Sequence, residues 1–141
     1  MSRMHLHLSV ASLSENIRFY TALFGAKPTV EKPDYAKWEL REPAVNFAIS
    51  ARGNTPGLDH IGIQAANRAE LEAIEARLQA AEISGFVQEG TTCCYAKSDK
   101  TWVTDPQGIA WESFHTLGDA PTYNDNTQAC CAPTPAGNSC C

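Results

Sequence analysis

Apolar and polar residues alternate in two stretches of the chain, and each stretch then changes to a helical period. The first stretch begins at His5 and the second at His60, a shift of 55 residues (60 minus 5). The apolar positions are Leu6, Leu8 and Val10 in the first stretch and Ile61, Ile63 and Ala65 in the second. Alternation of this kind is typical of half-buried strands. A strand and a helix that recur at one fixed separation predict an internal duplication.

The helix that follows each strand begins with a capping pattern. Ser12 stands three residues before Glu15, and Asn67 stands three residues before Glu70, which is the spacing of a capping box. Gly25 is predicted to end the first helix. The apolar residues at helical spacing predict the buried faces, which are Ile17, Tyr20 and Phe24 in the first helix and Leu71, Ile74 and Leu78 in the second.

Three strand-like runs follow each helix. They cover roughly residues 28–31, 35–40 and 45–50 in the first half and roughly residues 86–89, 95–103 and 110–116 in the second. Each half is therefore predicted to be a β-α-β-β-β module, at about residues 1–52 and 57–118, within one domain of residues 1–118. Residues 119–141 are rich in Pro, Asn and Thr, lack periodicity and are predicted to form a flexible, cysteine-containing tail.

The net charge of −5 excludes some classes of partner. Nucleic acids and anionic membranes favour a basic surface, so we expect neither as a partner. No apolar run is long enough to span a bilayer, and the first residues lack the apolar segment of a secretory signal. We therefore expect a cytoplasmic protein, a compartment in which thiols stay reduced.

The cysteines are clustered in an unusual way. All six occur in adjacent pairs, which are Cys93-Cys94, Cys130-Cys131 and Cys140-Cys141. Two reduced thiols that converge are suited to a soft, thiol-seeking centre. The second half is longer than the first by about ten residues near 91–100, so the first pair is predicted to lie on an inserted loop. Neighbouring side chains of a regular strand point to opposite faces, and a loop with Gly90 as a hinge would let the two thiols meet.

Three residues form a candidate metal site. The duplication places His5 and His60 at equivalent positions, and Glu112 follows the turn at residues 105–108. Two histidines and one carboxylate leave coordination positions open and suit non-haem Fe(II) and oxygen chemistry. His7 shares a strand face with His5 and is a rival ligand, although it aligns with Gly62 rather than with a histidine. His115 is predicted to point away from Glu112 and is not expected to be a ligand, because three residues separate them on one strand.

These features together resemble the vicinal oxygen chelate superfamily, which includes glyoxalase I, extradiol dioxygenases and bleomycin-binding proteins. The resemblance rests on the stretches "HLHLSVASL", "LDHIGI" and "DPQG" followed by Glu112, and it covers nearly all of residues 1–118. It implies an α+β fold in which two βαβββ modules form an open, curled mixed β-sheet. Within the superfamily, "TTCCYAKSDKTWVTDPQGIAWESF" is similar to the branch of organoarsenical carbon–arsenic lyases and cadmium-inducible proteins.

Membership of that branch implies an Fe(II)-dependent dioxygenase that uses O2 to cleave the carbon–arsenic bond of trivalent organoarsenicals, such as methylarsenite and reduced aromatic arsenicals, to give arsenite. Some relatives carry Gln in the place of His5, so that ligand varies in kind. The thiols of Cys93 and Cys94 would hold the arsenic beside the metal. Further residues near the thiols in sequence, which either contact substrate or only pack the strands, are Tyr95, Lys97 and Trp102.

Other interpretations of the same residues remain open. A non-catalytic protein that binds cadmium or arsenite accounts for the thiols but gives the candidate metal ligands no role. Another metal-dependent enzyme on this scaffold, such as a thiol transferase or an isomerase, would not need the thiols at residues 93–94. The pairs at residues 130–131 and 140–141 either capture arsenical for that site or bind soft metals separately. The chain is expected to be a monomer or a homodimer, with the modules paired within one chain or exchanged between two.

Overall fold

The computed structural model describes residues 1–124, 133–134 and 137–138 and confirms the repeated order of elements. The elements are β1 (Arg3–Ser9), α1 (Leu13–Phe24), β2 (Val30–Lys32), β3 (Tyr35–Arg41), β4 (Ala44–Ser50), β5 (Gly57–Gln64), α2 (Arg68–Ala80), β6 (Phe86–Cys93), β7 (Ala96–Thr104), β8 (Ala110–Asp119), β9 (Pro133–Thr134) and β10 (Gly137–Asn138). The first eight strands form one curled mixed sheet in the order β2-β3-β4-β1-β5-β8-β7-β6. The fold is therefore α+β, built from two βαβββ modules as expected.

The helix starts follow the predicted caps. The Ser12 side chain accepts a hydrogen bond from the backbone N–H of Glu15, and the Asn67 side chain accepts one from the N–H of Glu70. The carboxylate of Glu70 accepts from the N–H of Ala66, one residue earlier than a standard capping box would require. Gly25 ends α1 with φ of 64°, a conformation that glycine adopts at little cost.

The two faces of the sheet have different chemistry. The apolar core lies on the face that α1 covers, where Trp38 and Ile49 are fully buried and Ile17, Tyr20 and Phe24 pack against them. Along β1 the leucines at alternate positions face this core, so the intervening residues lie on the opposite, concave face. Those residues are polar but buried, namely His5, His7 and Ser9. Buried polar side chains need partners, which makes the concave face the place to look for a site.

The extra residues of the second module lengthen a hairpin and do not form a loop. Residues 91–93 of β6 pair with residues 96–98 of β7, and only Cys94 and Tyr95 lie between the two strands. We refer to this two-residue connection as the second turn; its counterpart between β2 and β3, Pro33–Asp34, is the first turn. Gly90, with φ of 58°, lies where the ladder between β6 and β7 shifts register. It therefore belongs to a β-bulge and not to a loop hinge.

The residues that follow the last long strand return to the hairpin of β6 and β7. Strand β8 continues to Asp119, and residues 120–124 then pack on the hairpin of β6 and β7. Strands β9 and β10 form a short antiparallel pair. The cysteine pairs at 130–131 and 140–141 lie outside the described residues. Within the described part of the chain, no helix is both long enough and apolar enough to cross a membrane.

Candidate metal centre and thiol pair

The three predicted metal ligands meet on the concave face. The Nε2 atoms of His5 and His60 are 3.1 Å apart, and Oε2 of Glu112 lies 3.6 Å from the first and 3.2 Å from the second. For metal–ligand bonds of about 2.1 Å, ligand atoms are separated by about 3.0 Å at neighbouring octahedral positions and by about 3.4 Å at tetrahedral ones. The observed triangle thus has the size that one bound metal ion requires.

Sheet register explains why these ligands converge. His5 on β1 pairs with Gly62 on β5, and Gly62 pairs with Glu112 on β8, so three adjacent strands contribute at one level. His60 is two residues from Gly62 and shares its face. A Cβ atom at residue 62 would lie 1.7 Å from the carbonyl oxygen of Glu112. Only glycine lets β8 approach closely enough, which is the physical reason for glycine at this position.

Each imidazole is oriented by a second partner. Nδ1 of His5 lies 3.1 Å from the carbonyl oxygen of Asn46, and Nδ1 of His60 lies 2.6 Å from Oδ1 of Asp59. Both partners are acceptors, so both Nδ1 atoms carry a proton, and in the neutral ring the Nε2 lone pair then points to the centre of the triangle. Outer partners of this kind fix the orientation of histidine ligands in metal sites.

A buried lysine orients the carboxylate. Nζ of Lys100 donates to Oε1 of Glu112 at 2.5 Å, and only 3% of Lys100 is exposed. The pair leaves Oε2 of Glu112 to face the two histidines. Removing either partner of such a buried pair leaves an uncompensated charge, so each depends on the other.

The same contacts govern protonation in the absence of metal. Burial and the neighbouring His60 lower the pKa of His5 to about 3. Burial opposes the charged form of His60, but its hydrogen bonds to Asp59 and Glu112 outweigh burial and raise its pKa to about 9. For Glu112, Lys100 and His60 outweigh burial and hold the carboxyl pKa well below its usual range. In the metal-free site, Nε2 of His60 thus also carries a proton at neutral pH, and a metal ion must displace this proton to bind.

His7 forms a second possible ligand set. One nitrogen each of His5, His7 and His60 lies within 4.8 Å of the others, a looser cluster than the triangle with Glu112. Nε2 of His7 is engaged by Oγ of Ser50 at 2.8 Å, and its Nδ1 has no partner among the described residues. The shorter distances favour the set that contains Glu112, with His7 as a neighbour.

The thiols of Cys93 and Cys94 converge as the sequence required. Their Sγ atoms are 3.3 Å apart, well beyond the length of about 2.05 Å of a disulfide bond, so the two cysteines are not joined by a disulfide. Cys93 ends β6, whereas Cys94 has φ of 55° in the second turn and thus departs from strand geometry. With bonds of about 2.3 Å, as for zinc–thiolate, this separation subtends roughly 90° at a shared soft atom.

One cavity connects the two chemical groups. Its lining includes His5 and Glu112 from the metal triangle and both Cys93 and Cys94, together with the buried ring of Tyr35. The cavity measures about 40 Å³, room for a few water molecules. A small group held by the two thiols would therefore share this space with an ion held by the triangle.

The other residues proposed near substrate lie outside this cavity. Tyr95 is in the second turn, and its hydroxyl donates to Oδ1 of Asp34 at 2.5 Å. Lys97 is exposed on β7. Trp102 is buried, and its ring makes a T-shaped contact with His60, at 5.0 Å between ring centres, so it packs against a candidate metal ligand. The lining residues do not include any of the three.

The residues that orient the candidate ligands were not predicted from the sequence. For Lys100 the sequence does give an indication of a role at the site. Lys100 stands between Ser98 and Trp102 at the inward positions of β7, where a lysine is unexpected. Asp59 also had one, because it directly precedes His60. Asn46 had no comparable indication, since its role depends on the pairing of β1 with β4.

Comparisons with known proteins agree with this architecture. The family described as the Glyoxalase/Bleomycin resistance protein/Dioxygenase superfamily matches residues 3–113. The trivalent organoarsenical cleaving enzyme of Bacillus sp. (strain MD1) is 38% identical over 96% of this chain and 86% of that protein. Cadmium-induced protein CadI of Mycobacterium tuberculosis is 38% identical over 87% of this chain and 82% of that protein. Homoprotocatechuate 2,3-dioxygenase of Arthrobacter globiformis has a similar fold, with a TM-score of 0.61 at 18% identity over 84% of this chain and 37% of that one.

Proposed function

The chain belongs to the Glyoxalase/Bleomycin resistance protein/Dioxygenase superfamily, and from that premise we propose that it is an Fe(II)-dependent dioxygenase that cleaves the carbon–arsenic bond of trivalent organoarsenicals. The observation that carries the proposal is the shared cavity, which borders both the metal triangle and the two thiols. The similarity to an organoarsenical cleaving enzyme supports the same substrate class. We further propose a cytoplasmic location, where the thiols stay reduced.

The residues present fit an iron ion. His5, His60 and Glu112 form the 2-His-1-carboxylate set typical of non-haem Fe(II) oxygenases, at distances that match one ion. When bound, Fe(II) would supply open coordination positions for O2. Asn46 and Asp59 keep the histidine Nε2 atoms directed to that ion.

The thiols define the substrate. Trivalent arsenic that carries one organic group has two positions free for sulfur, and Cys93 and Cys94 present two sulfurs at a suitable separation. Capture of methylarsenite would transfer two thiol protons to the two hydroxyl groups that leave arsenic as water. The substrate is then held at the cavity wall, and this proximity accounts for part of the rate.

The overall reaction balances with O2 as the only oxidant. For methylarsenite, CH3As(OH)2 and O2 give As(OH)3 and formaldehyde, so the methyl carbon loses four electrons and dioxygen gains four. The chain's own residues bind the arsenic, hold the metal ligands and limit water in the cavity.

The decisive experiment separates turnover from binding. Reduced protein is incubated with Fe(II) and methylarsenite, with and without O2, and the arsenic species are separated by chromatography. We expect arsenite only when both iron and O2 are present. Binding without turnover in every condition would instead identify a protein that sequesters soft metals.

A further inference from the structure

Residues 120–124, which we call the closing segment, return over the hairpin that bears the thiols. The backbone N–H of Ala120 donates to the carbonyl oxygen of Tyr95 at 2.8 Å. Asn124 forms an isolated antiparallel bridge with Cys93. The closing segment is therefore attached to Tyr95 of the second turn and to Cys93, the residue directly before that turn.

Tyr123 lies between these two attachments and contacts the thiol site. It is 7% exposed and packs in one apolar cluster with Tyr35 and the two cysteines. The Cys94 thiol donates to its hydroxyl oxygen, with 3.5 Å between Sγ and oxygen. The guanidinium carbon of Arg52 lies 3.8 Å from the centre of the Tyr123 ring, a cation–π contact.

The contacts continue into the first module and return to the second turn. Arg52 forms an ion pair with Asp34, and the other oxygen of Asp34 accepts the hydroxyl proton of Tyr95. The complete ring of contacts runs through Cys94, Tyr123, Arg52, Asp34 and Tyr95. It begins and ends on the two residues of the second turn.

The second turn needs external support. Cys94 and Tyr95 have φ of 55° and 61°, and neither is glycine. This left-handed conformation costs side-chain-bearing residues free energy relative to the usual regions. The left-handed conformation of Cys94 also ends the strand geometry that would place the two sulfur atoms on opposite faces. Contacts that stabilise the turn therefore also keep the two thiols together.

We propose that Tyr123 is a positioning residue for the thiol pair. Its hydroxyl holds the sulfur of Cys94, and its ring, through Arg52 and Asp34, keeps the turn in the conformation that brings the sulfurs together. The inference rests on the proposed function and deepens it, because it assigns a residue that prepares the site for arsenic before substrate arrives. Prearranged groups bind more tightly because less freedom is lost on binding.

The test uses the full chain with Tyr123→Phe, which keeps the ring over Arg52 and removes only the hydroxyl. Reduced, metal-free protein is titrated with phenylarsine oxide, a trivalent arsenical, by anaerobic calorimetry. We expect about fivefold weaker binding, because the arsenic-bound sulfur of Cys94 has lost its proton and then accepts a hydrogen bond from the Tyr123 hydroxyl, which phenylalanine cannot donate. Tm and Fe(II) affinity should be unchanged. Methylarsenite turnover should show a raised KM and an unchanged kcat. Tyr20→Phe, in the core of the first module, is the matched control and should bind as the parent does.

The outcomes separate this inference from the proposed function. Parent-like affinity in Tyr123→Phe overturns the inference alone. A fall in affinity that comes with lower Tm and lower Fe(II) affinity also overturns it, because the hydroxyl then supports the fold generally. If Cys93→Ser and Cys94→Ser both bind the arsenical as tightly as the parent, the proposed function fails and the inference fails with it.

Discussion

The first and second turns occupy equivalent places in the two modules. In each, the carbonyl of the second turn residue accepts a hydrogen bond from an alanine that follows the module's last strand. Ala51 donates to Asp34 at 3.0 Å, and Ala120 donates to Tyr95 at 2.8 Å. The duplication therefore extends to single hydrogen bonds.

The turns differ in reach and chemistry. Strand β2 before the first turn has three residues, whereas β6 before the second has eight. The longer hairpin brings the hydroxyl of Tyr95 to Asp34, so the two turns meet. Of the two turns, only the second contains a thiol, that of Cys94, with Cys93 directly before it, and only the second has positive φ at two residues that are not glycine. A repeated frame can thus acquire a site when one hairpin lengthens and its turn changes residues.

The largest effect, on arsenical affinity, should follow from removing one of the two thiols at the second hairpin. Cys93→Ser or Cys94→Ser leaves one thiol, and we expect at least about a hundredfold loss of arsenical affinity, because the second attachment within one site is lost. Turnover should disappear. The measurement is calorimetric titration with methylarsenite beside an assay for arsenite. Thr92→Ser, one residue earlier on β6, is the control, and Fe(II) affinity should stay unchanged in all three variants.

The next comparison concerns the histidines that the two modules contribute. His5→Ala and His60→Ala should each weaken Fe(II) binding by more than a hundredfold. His7→Ala, which removes only a neighbour, should cost at most about tenfold, within the range for outer residues. His115→Ala on β8 is the control. The Fe(II) affinity of each variant is measured by anaerobic calorimetry. A larger loss of Fe(II) affinity in His7→Ala than in Glu112→Gln would mean that the three histidines, and not the set with Glu112, hold the metal.

The two histidines should also give the metal-free protein opposite pH dependences. His60 has a raised pKa of about 9, so its protonation contributes to the free energy of unfolding. This contribution, about 3 kcal/mol at most, is fully present below pH 6.5 and is lost as the pH rises through 9. The lowered pKa of His5, about 3, makes stability fall as the pH drops below 6.5. We expect maximal resistance to urea near pH 6.5.

Urea midpoints between pH 5 and 9.5 test this expectation, and the alkaline decline should vanish in His60→Gln. A flat profile for the parent above pH 7 would contradict the assignment. Bound metal should also abolish the alkaline decline, because a metal-bound His60 is already neutral between pH 6.5 and 9.5.

The smallest effect should come from separating the two turns. Tyr95→Phe removes the hydrogen bond to Asp34, and we expect a loss of about 1 kcal/mol in the free energy of unfolding, because this pair is partly exposed. Asp34→Asn and the double variant complete a cycle that isolates the pair. Additive effects within about 0.3 kcal/mol would mean that the contact between the turns contributes little.

Local patterns in the chain predicted the frame of this protein well. The caps at Ser12 and Asn67 and the shift between His5 and His60 depend on residues close together in sequence, so they were visible without a structure. The choice of candidate metal ligands and the need for the cysteine pair to depart from strand geometry, which Cys94 does, also followed from local chemistry. The prediction that the first cysteine pair lies on an inserted loop was wrong, because the pairing of β6 with β7 depends on a partner strand that periodicity does not reveal.

The sequence by itself determined two βαβββ modules, a candidate set of metal ligands and an adjacent pair of cysteines. Only the tertiary structure decided that ligands and thiols share one cavity, that Lys100 orients Glu112, and that Asp34 meets Tyr95 across 61 residues of chain. The physical reason is that strand period and helix caps are set by near neighbours, whereas a cavity is set by the curl of the whole sheet. That curl brings together residues that are far apart in the sequence, and no local sequence pattern indicates such contacts.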